Sequence, residues 1–199
     1  MSGLLSLQDI TAGYAGHEVV KGASLSVEAG EFCALLGLNG CGKTTLLRAA
    51  CGLLPLQGGR CAVQQQDCTH LDERRRACLM SYTPQRGRLI MGNTVLEGVP
   101  LAFNHRLRLL DPPGETHKKA ALENLDRLGL LALAGRDYAQ LSEGQKQLVI
   151  LARALSQDTP VMLMDGPDSA LDFVNRHMVL AKIREVLHDR QRAVRLVHQ

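Results

Sequence analysis

One segment constrains the fold of this chain more than any other, the residues GLNGCGKTT from Gly37 to Thr45. It fits the pattern G-x-x-x-x-G-K-[ST], in which glycines let successive backbone N–H groups converge on one anion. In this pattern Lys43 reaches the outer phosphates of a nucleotide, and the Thr44 hydroxyl can ligate Mg²⁺. The residues before the segment are typical of a buried strand and those after it of a helix. This context predicts a nucleotide phosphate site rather than a glycine-rich turn that matches by chance.

The loop residues predicted to bind the nucleotide are Gly37, Asn39, Gly40, Cys41, Gly42, Lys43, Thr44 and Thr45. Cys41 admits two interpretations, a reactive thiol or a small residue that fills space, and the second is favoured.

Size and charge restrict the class of protein. The 199 residues are enough for one sizeable domain or for a core with a subdomain. A net charge of +3 is too weak to indicate a nucleic-acid partner, and none is expected. The arginine run Arg74–Arg76 is interpreted as a solvated helix face rather than a phosphate-binding patch. No apolar run approaches the ~18 residues of a membrane span, and no signal peptide is recognisable, so a cytosolic protein is expected.

Hydrophobic patterns divide the chain into two strand-rich stretches with a helical stretch between them. Short apolar runs with glycine turns over residues 3–36 predict several strands, and further strands are predicted at 79–84 and 161–165. Residues 86–157 are instead predicted to be helical. Capping-box pairs, Thr94 with Glu97 and Ser142 with Gln145, mark two helix starts in this stretch. Strands that alternate with helices predict a mainly parallel sheet with helices on its faces.

A second motif narrows the interpretation. The residues LSEGQ from Leu141 to Gln145 resemble the LSGGQ signature of ATP-binding-cassette (ABC) proteins, with Glu143 at a variable position. The resemblance extends over about residues 3–199. Within the family, the chain is most similar to importers of iron chelates and cobalamin, although this narrower similarity is weak. Further matches follow the family's order. Tyr14 matches the aromatic that stacks on adenine, Gln85 the glutamine that senses Mg²⁺, and Asp165 the Mg²⁺ aspartate at the end of a strand. Asp172 lies in the match to the loop that contacts the opposite subunit, and His198 matches the switch histidine.

The resemblance implies a P-loop NTPase (RecA-like) α/β fold with a mainly parallel core, an N-terminal antiparallel β subdomain and an inserted helical subdomain. It implies one ABC domain over 1–199, with the core in 1–85 and 158–199 and the helical subdomain in 86–157. The cofactors would be ATP and Mg²⁺, the latter held by Thr44, Gln85 and Asp165. Ser142, Gly144 and Gln145 would contact ATP held by a second ABC subunit. An integral membrane permease would convert the cycle of closure and hydrolysis into transport, which places the chain on the inner face of the cell membrane.

Three features depart from the family pattern. Gly166 stands where the family has the glutamate that polarises the attacking water, and general-base assistance is worth roughly 10²–10⁴ in rate. Arg195 lies in a strand that should be central and apolar. The sequence ends at Gln199, so a C-terminally short cassette is expected in which His198 lies at the end of the chain.

These departures leave alternatives to a working transporter ATPase. One is an ATP-gated binding module that closes but hardly hydrolyses, including a decayed or truncated subunit. Another is a soluble ABC protein of DNA repair or translation, although the long insertions or tandem cassettes of such proteins are not present.

Overall fold

The secondary structure alternates between strands and helices. It is described from a computed structural model that covers residues 3–84, 94–100, 114–166, 177, 181–182 and the backbone of 193–197. The elements are, in chain order, β1 (Leu5–Tyr14), β2 (His17–Val27), β3 (Phe32–Leu35), α1 (Lys43–Ala50), β4 (Gly58–Val63), β5 (Gln66–Asp67), α2 (Glu73–Leu79), β6 (Met80–Thr83), α3 (Val95–Gly98), α4 (Glu115–Arg127), α5 (Glu143–Ser156), β7 (Val161–Asp165) and β8 (Ala193–Val197). Single turns of 3₁₀ helix lie at Leu131–Leu133 and Tyr138–Gln140.

The first sheet is antiparallel and has the strand order β2-β1-β4-β5. Its first strand buries Leu5, Leu7 and Ile10, while Gln8 points to solvent. These apolar side chains belong to the buried core, so one face of the sheet is covered. The strands predicted from residues 3–36 are therefore confirmed.

The second sheet is parallel and has the strand order β3-β8-β7-β6. All five residues of β7 are buried, which explains the unbroken apolar run before Asp165. The backbone of β8 lies between β3 and β7, so the strand that carries Arg195 is an interior one, as predicted. Because the strands are parallel, the chain leaves β3 and β7 at the same edge of the sheet.

Helix α1 joins the core of both sheets. Leu46, Leu47, Ala49 and Ala50 are buried in one cluster with residues of β1, β4 and β7. Each fully buried leucine side chain contributes about 1.5–3 kcal/mol relative to exposure. This packing fixes the helix, and with it the loop from Gly37 to Thr45 that precedes it.

The arginine run Arg74–Arg76 differs from the solvated helix face that was predicted. Arg74 and Arg75 are exposed, but Arg76 is buried and donates to the carbonyl oxygens of Thr69 at 2.9 Å and Ala50 at 3.4 Å. Its guanidinium lies against Gly52, where a side chain would occupy the same space. The prediction is therefore wrong for Arg76, which lies in the interior because Gly52 has no side chain to fill that space.

The chain forms two compact units. The first comprises residues 1–85, 159–167 and 187–199, and the second comprises 86–158 and 168–186. In the second unit α4 packs against α5, and the buried Asn124 amide donates to Ser156 Oγ at 2.9 Å. Both predicted capping boxes are present, at the starts of α3 and α5. Among the residues described here, no helix has the length and apolar character needed to cross a bilayer.

Candidate functional site

The loop from Gly37 to Thr45, called the phosphate loop below, connects the end of β3 to the start of α1. Gly42 caps α1 with a φ of 97°, a conformation that favours glycine, and it offers no side chain to the free N–H groups of the helix. A Cβ on Gly42 would also lie only 3.3 Å from the carbonyl oxygen of Val19. The helix start therefore keeps its N–H groups and its positive dipole end available for an anion.

Lys43 supplies the cation of this site. Its ammonium donates to the carbonyl oxygens of Gly37 at 2.7 Å and Leu38 at 2.8 Å, so the side chain folds back across the phosphate loop. Only 8% of the residue is exposed. The loop encloses a cleft of about 150 Å³, lined by Val19, Asn39, Gly40, Gly42, Lys43, Thr44 and Thr45. A cation and free N–H groups beside one cleft are suited to binding a phosphate chain.

Asp165 brings the end of β7 to the start of α1. The Thr44 hydroxyl donates to Asp165 Oδ1 at 2.9 Å, across 121 positions of sequence. The hydroxyl of Tyr82, on β6, donates to the other carboxylate oxygen, Oδ2, at 3.0 Å. Asp165 is only 4% exposed, whereas Thr44 and Tyr82 are half-buried, so both hydrogen bonds are partly shielded from water. Burial first, and then the carboxylate of Asp165, raise the pKa of Tyr82 to about 12, against the opposing effect of Arg48.

The oxygen atoms of Thr44 and Asp165 fit the demands of Mg²⁺. This ion prefers hard oxygen ligands, keeps several water molecules and is usually held by one or two protein groups together with phosphates. A hydroxyl and a carboxylate that already touch at 2.9 Å, beside a cleft suited to phosphate, form such a pair.

Tyr14 ends β1, and 43% of it is exposed, which leaves its ring accessible to a base. The hydroxyl of Tyr82 first, and then that of Tyr14, raise the pKa of Arg48 on α1.

The predicted signature residues start helix α5 in the second unit. Ser142 Oγ accepts from the Gln145 N–H at 3.3 Å, and Gln145 Oε1 accepts from the Ser142 N–H at 3.0 Å. Glu143 pairs with Lys146 at 2.7 Å, and Gly144 is buried. The Ser142 side chain is exposed, and within the described part of the chain its hydrogen bond is made to Gln145 in the same helical turn.

Three predicted site residues, Gln85, Asp172 and His198, lie outside the described residues. Gly166 is described, is buried and has a φ of 52°. A residue with a Cβ in that conformation costs roughly 1–2 kcal/mol. The structure thus adds a backbone reason for glycine at the position where the family has glutamate.

Two polar residues of the site were not predicted from the sequence. Tyr82 and Arg48 reach the site through strand pairing and helix packing, not through a motif. A partial signal was available for Arg48, since it lies four residues after Thr44 and so on the same helix face.

Comparison with known proteins identifies a family and several relatives that the sequence of this chain resembles. The sequence profile of the family described as ABC transporter matches residues 20–169. A hemin import ATP-binding protein of Shewanella denitrificans is 35% identical over 190 residues, which are 93% of this chain and 73% of that protein. A sulfate/thiosulfate import ATP-binding protein of Methylococcus capsulatus is 35% identical over 185 residues, 93% of this chain but only 52% of that protein.

A solved structure agrees with the fold. It is a dimeric ATP-binding cassette in a post-hydrolysis state, bound to ADP and Pi. The two folds superpose with a TM-score of 0.82 at 28% identity, over 98% of this chain and 88% of the other. This likeness confirms the predicted P-loop NTPase fold.

Proposed function

Because the chain belongs to the ABC transporter family, we propose that it is the nucleotide-binding subunit of a membrane importer. In this proposal the chain binds Mg·ATP and couples closure of a cassette dimer, and ATP hydrolysis, to movement of a substrate. The hemin and sulfate/thiosulfate relatives are both named for import, at the same identity. Since their substrates differ, import is part of the proposal and a particular substrate is not.

The observation that carries this proposal is the contact of Thr44 with Asp165 beside Lys43. Lys43 would exchange its two loop carbonyls for the β- and γ-phosphates, and Thr44 and Asp165 would hold Mg²⁺. Bound Mg²⁺ supplies neutralisation of the charge on the outer phosphates. Tyr14 would stack on the adenine, a role that rests on the family resemblance and on its exposed ring.

A second subunit completes the proposed site. The first N–H groups of α5 and the Ser142 hydroxyl would bind the phosphates of ATP held by that subunit, with Gly144 allowing close approach. Gln145 would stay in its capping box and fix the helix start. The family resemblance assigns Asp172 to the contact between subunits. It assigns Gln85 to Mg²⁺ sensing and His198 to contact with the γ-phosphate. A permease partner would hold the chain at the inner face of the membrane.

One observation favours a second candidate, an ATP-binding subunit with impaired hydrolysis. Gly166 provides no carboxylate, and its φ of 52° disfavours one. In this candidate closure around ATP would remain, and reopening would be slow or would depend on a catalytically complete partner subunit.

The test is binding of ATP to the purified chain, measured by isothermal titration calorimetry with Mg²⁺ and again with EDTA. We expect binding in both cases and tighter binding with Mg²⁺. No detectable binding, for a sample whose circular dichroism shows a folded α/β protein, would overturn the proposal. Phosphate release by the chain with its permease then separates the two candidates, because only the importer ATPase turns over.

A further inference from the structure

Tyr82 occupies a position from which it can set the orientation of Asp165. In the parallel pairing of β6 with β7, Tyr82 lies opposite Leu163, two residues before Asp165. Residues two apart on a strand share one face, and the spacing between them is about 6.6 Å. The ring of Tyr82 spans this offset along the sheet, and its hydroxyl meets Asp165 Oδ2 at 3.0 Å.

The two oxygens of the carboxylate are thereby used for different contacts. Oδ2 accepts from Tyr82 at 3.0 Å, and Oδ1 faces Thr44 at 2.9 Å. With Oδ2 held, rotation about the last bond of the aspartate side chain would break a hydrogen bond to a buried carboxylate, which costs free energy. The oxygen on the side of the phosphate loop is therefore fixed before any metal binds.

We propose that Tyr82 is a positioning residue for the Mg²⁺-dependent part of nucleotide binding, acting through Asp165. This inference rests on the proposed function, since it assigns a role within the same site.

The test compares Tyr82→Phe with the unmodified protein, using a fluorescent ADP analogue in excess Mg²⁺ and in EDTA. The ratio of the two affinities isolates the contribution of the metal. We expect Tyr82→Phe to reduce this ratio roughly tenfold, the low end of the worth of one hydrogen bond to a charged group, and to leave the affinity in EDTA unchanged. Tyr138→Phe is the matched control, because Tyr138 is also half-buried but lies in the second unit. It should leave both affinities unchanged.

The affinity measured in EDTA guards against a folding defect in Tyr82→Phe, because it reports on the nucleotide site without the metal. An unchanged ratio in a folded Tyr82→Phe, or an equal loss with and without Mg²⁺, would overturn the inference. Absence of nucleotide binding by the unmodified protein would instead overturn the proposed function, so the two failures are distinguishable.

Discussion

The phosphate loop with Asp165 and the signature helix α5 are the two halves of the proposed ATP site, and they are held in opposite ways. Thr44 and Asp165 meet across 121 positions, and Lys43 and Asp165 are both buried. Ser142 and Gln145 meet across three positions, and Ser142 is exposed. The first half depends on the packing of the whole core, whereas the second is complete within one helical turn. We infer that the first half sets nucleotide affinity and that the second acts only on a nucleotide held by another subunit.

The largest expected effect concerns Gly166, where the family resemblance predicts a glutamate that acts as general base. Gly166→Glu should raise phosphate release at saturating Mg·ATP by about 10²–10⁴, if the absent general base limits the rate. It should also lower the free energy of unfolding by roughly 1–2 kcal/mol, because of the positive φ of Gly166. Phosphate release by the dimer and chemical denaturation measure the two effects.

Gly166→Ala is the matched control for this variant, since it carries the same backbone strain without a carboxylate. Equal rates for the alanine and glutamate variants would show that the missing base is not what limits the chain, and would count against the hydrolysis-impaired candidate.

The next effect in size tests whether the phosphate loop sets affinity. Lys43→Ala should weaken ATP binding by about 10²-fold, because the phosphates lose charge-assisted hydrogen bonds worth roughly 1.5–3 kcal/mol each. It should also cost about 1–2 kcal/mol of stability, since the carbonyls of Gly37 and Leu38 lose their donor. Calorimetry measures the affinity, with Lys119→Ala as an exposed lysine control. Unchanged affinity would show that the loop assignment is wrong.

A smaller effect is expected in the signature helix. Ser142→Ala should cost about 1 kcal/mol, the usual worth of an N-cap, and should leave ATP binding to the isolated chain unchanged. Dimerisation driven by ATP should become weaker, as followed by size-exclusion chromatography with light scattering. Ser142→Thr keeps the cap and should behave nearly as the unmodified protein. A loss of ATP affinity in the monomeric Ser142→Ala variant would break the division of roles between the two halves.

The features that were predictable from the sequence are those set by neighbours in the chain. The strand–loop–helix around Lys43 and the capping boxes at Thr94 and Ser142 depend on residues within one or two turns, so their spacing is visible in the sequence. The α/β fold followed from the same local patterns, because alternating strands and helices have few ways to bury their apolar faces.

The features that were not predictable depend on register and on packing between distant segments. Tyr82 reaches Asp165 only because β6 pairs with β7 in one particular register, which no short pattern specifies. Arg76 was expected in solvent, and its burial depends on the space beside Gly52. The left-handed backbone of Gly166, directly after β7, is visible in the sequence only as a departure from the glutamate that the family resemblance predicts.

The smallest expected effect concerns Glu143, in the first turn of the signature helix. Glu143 places a negative charge beside the helix start that would bind a phosphate chain, and its carboxylate is exposed, while its partner Lys146, at 2.7 Å, is half-buried. Glu143→Gln should change stability by less than about 0.5 kcal/mol, since exposed ion pairs contribute little. It should lower the ATP concentration for half-maximal dimerisation about twofold at low salt and by less at high salt, because the repulsion it relieves is screened. Glu115→Gln is the matched control, since Glu115 also stands in the first turn of a helix and pairs three residues on, with Lys118 at 2.8 Å. If both variants shift dimerisation equally, the effect comes from net charge alone. The result would then contradict binding of the partner subunit's nucleotide at the start of α5.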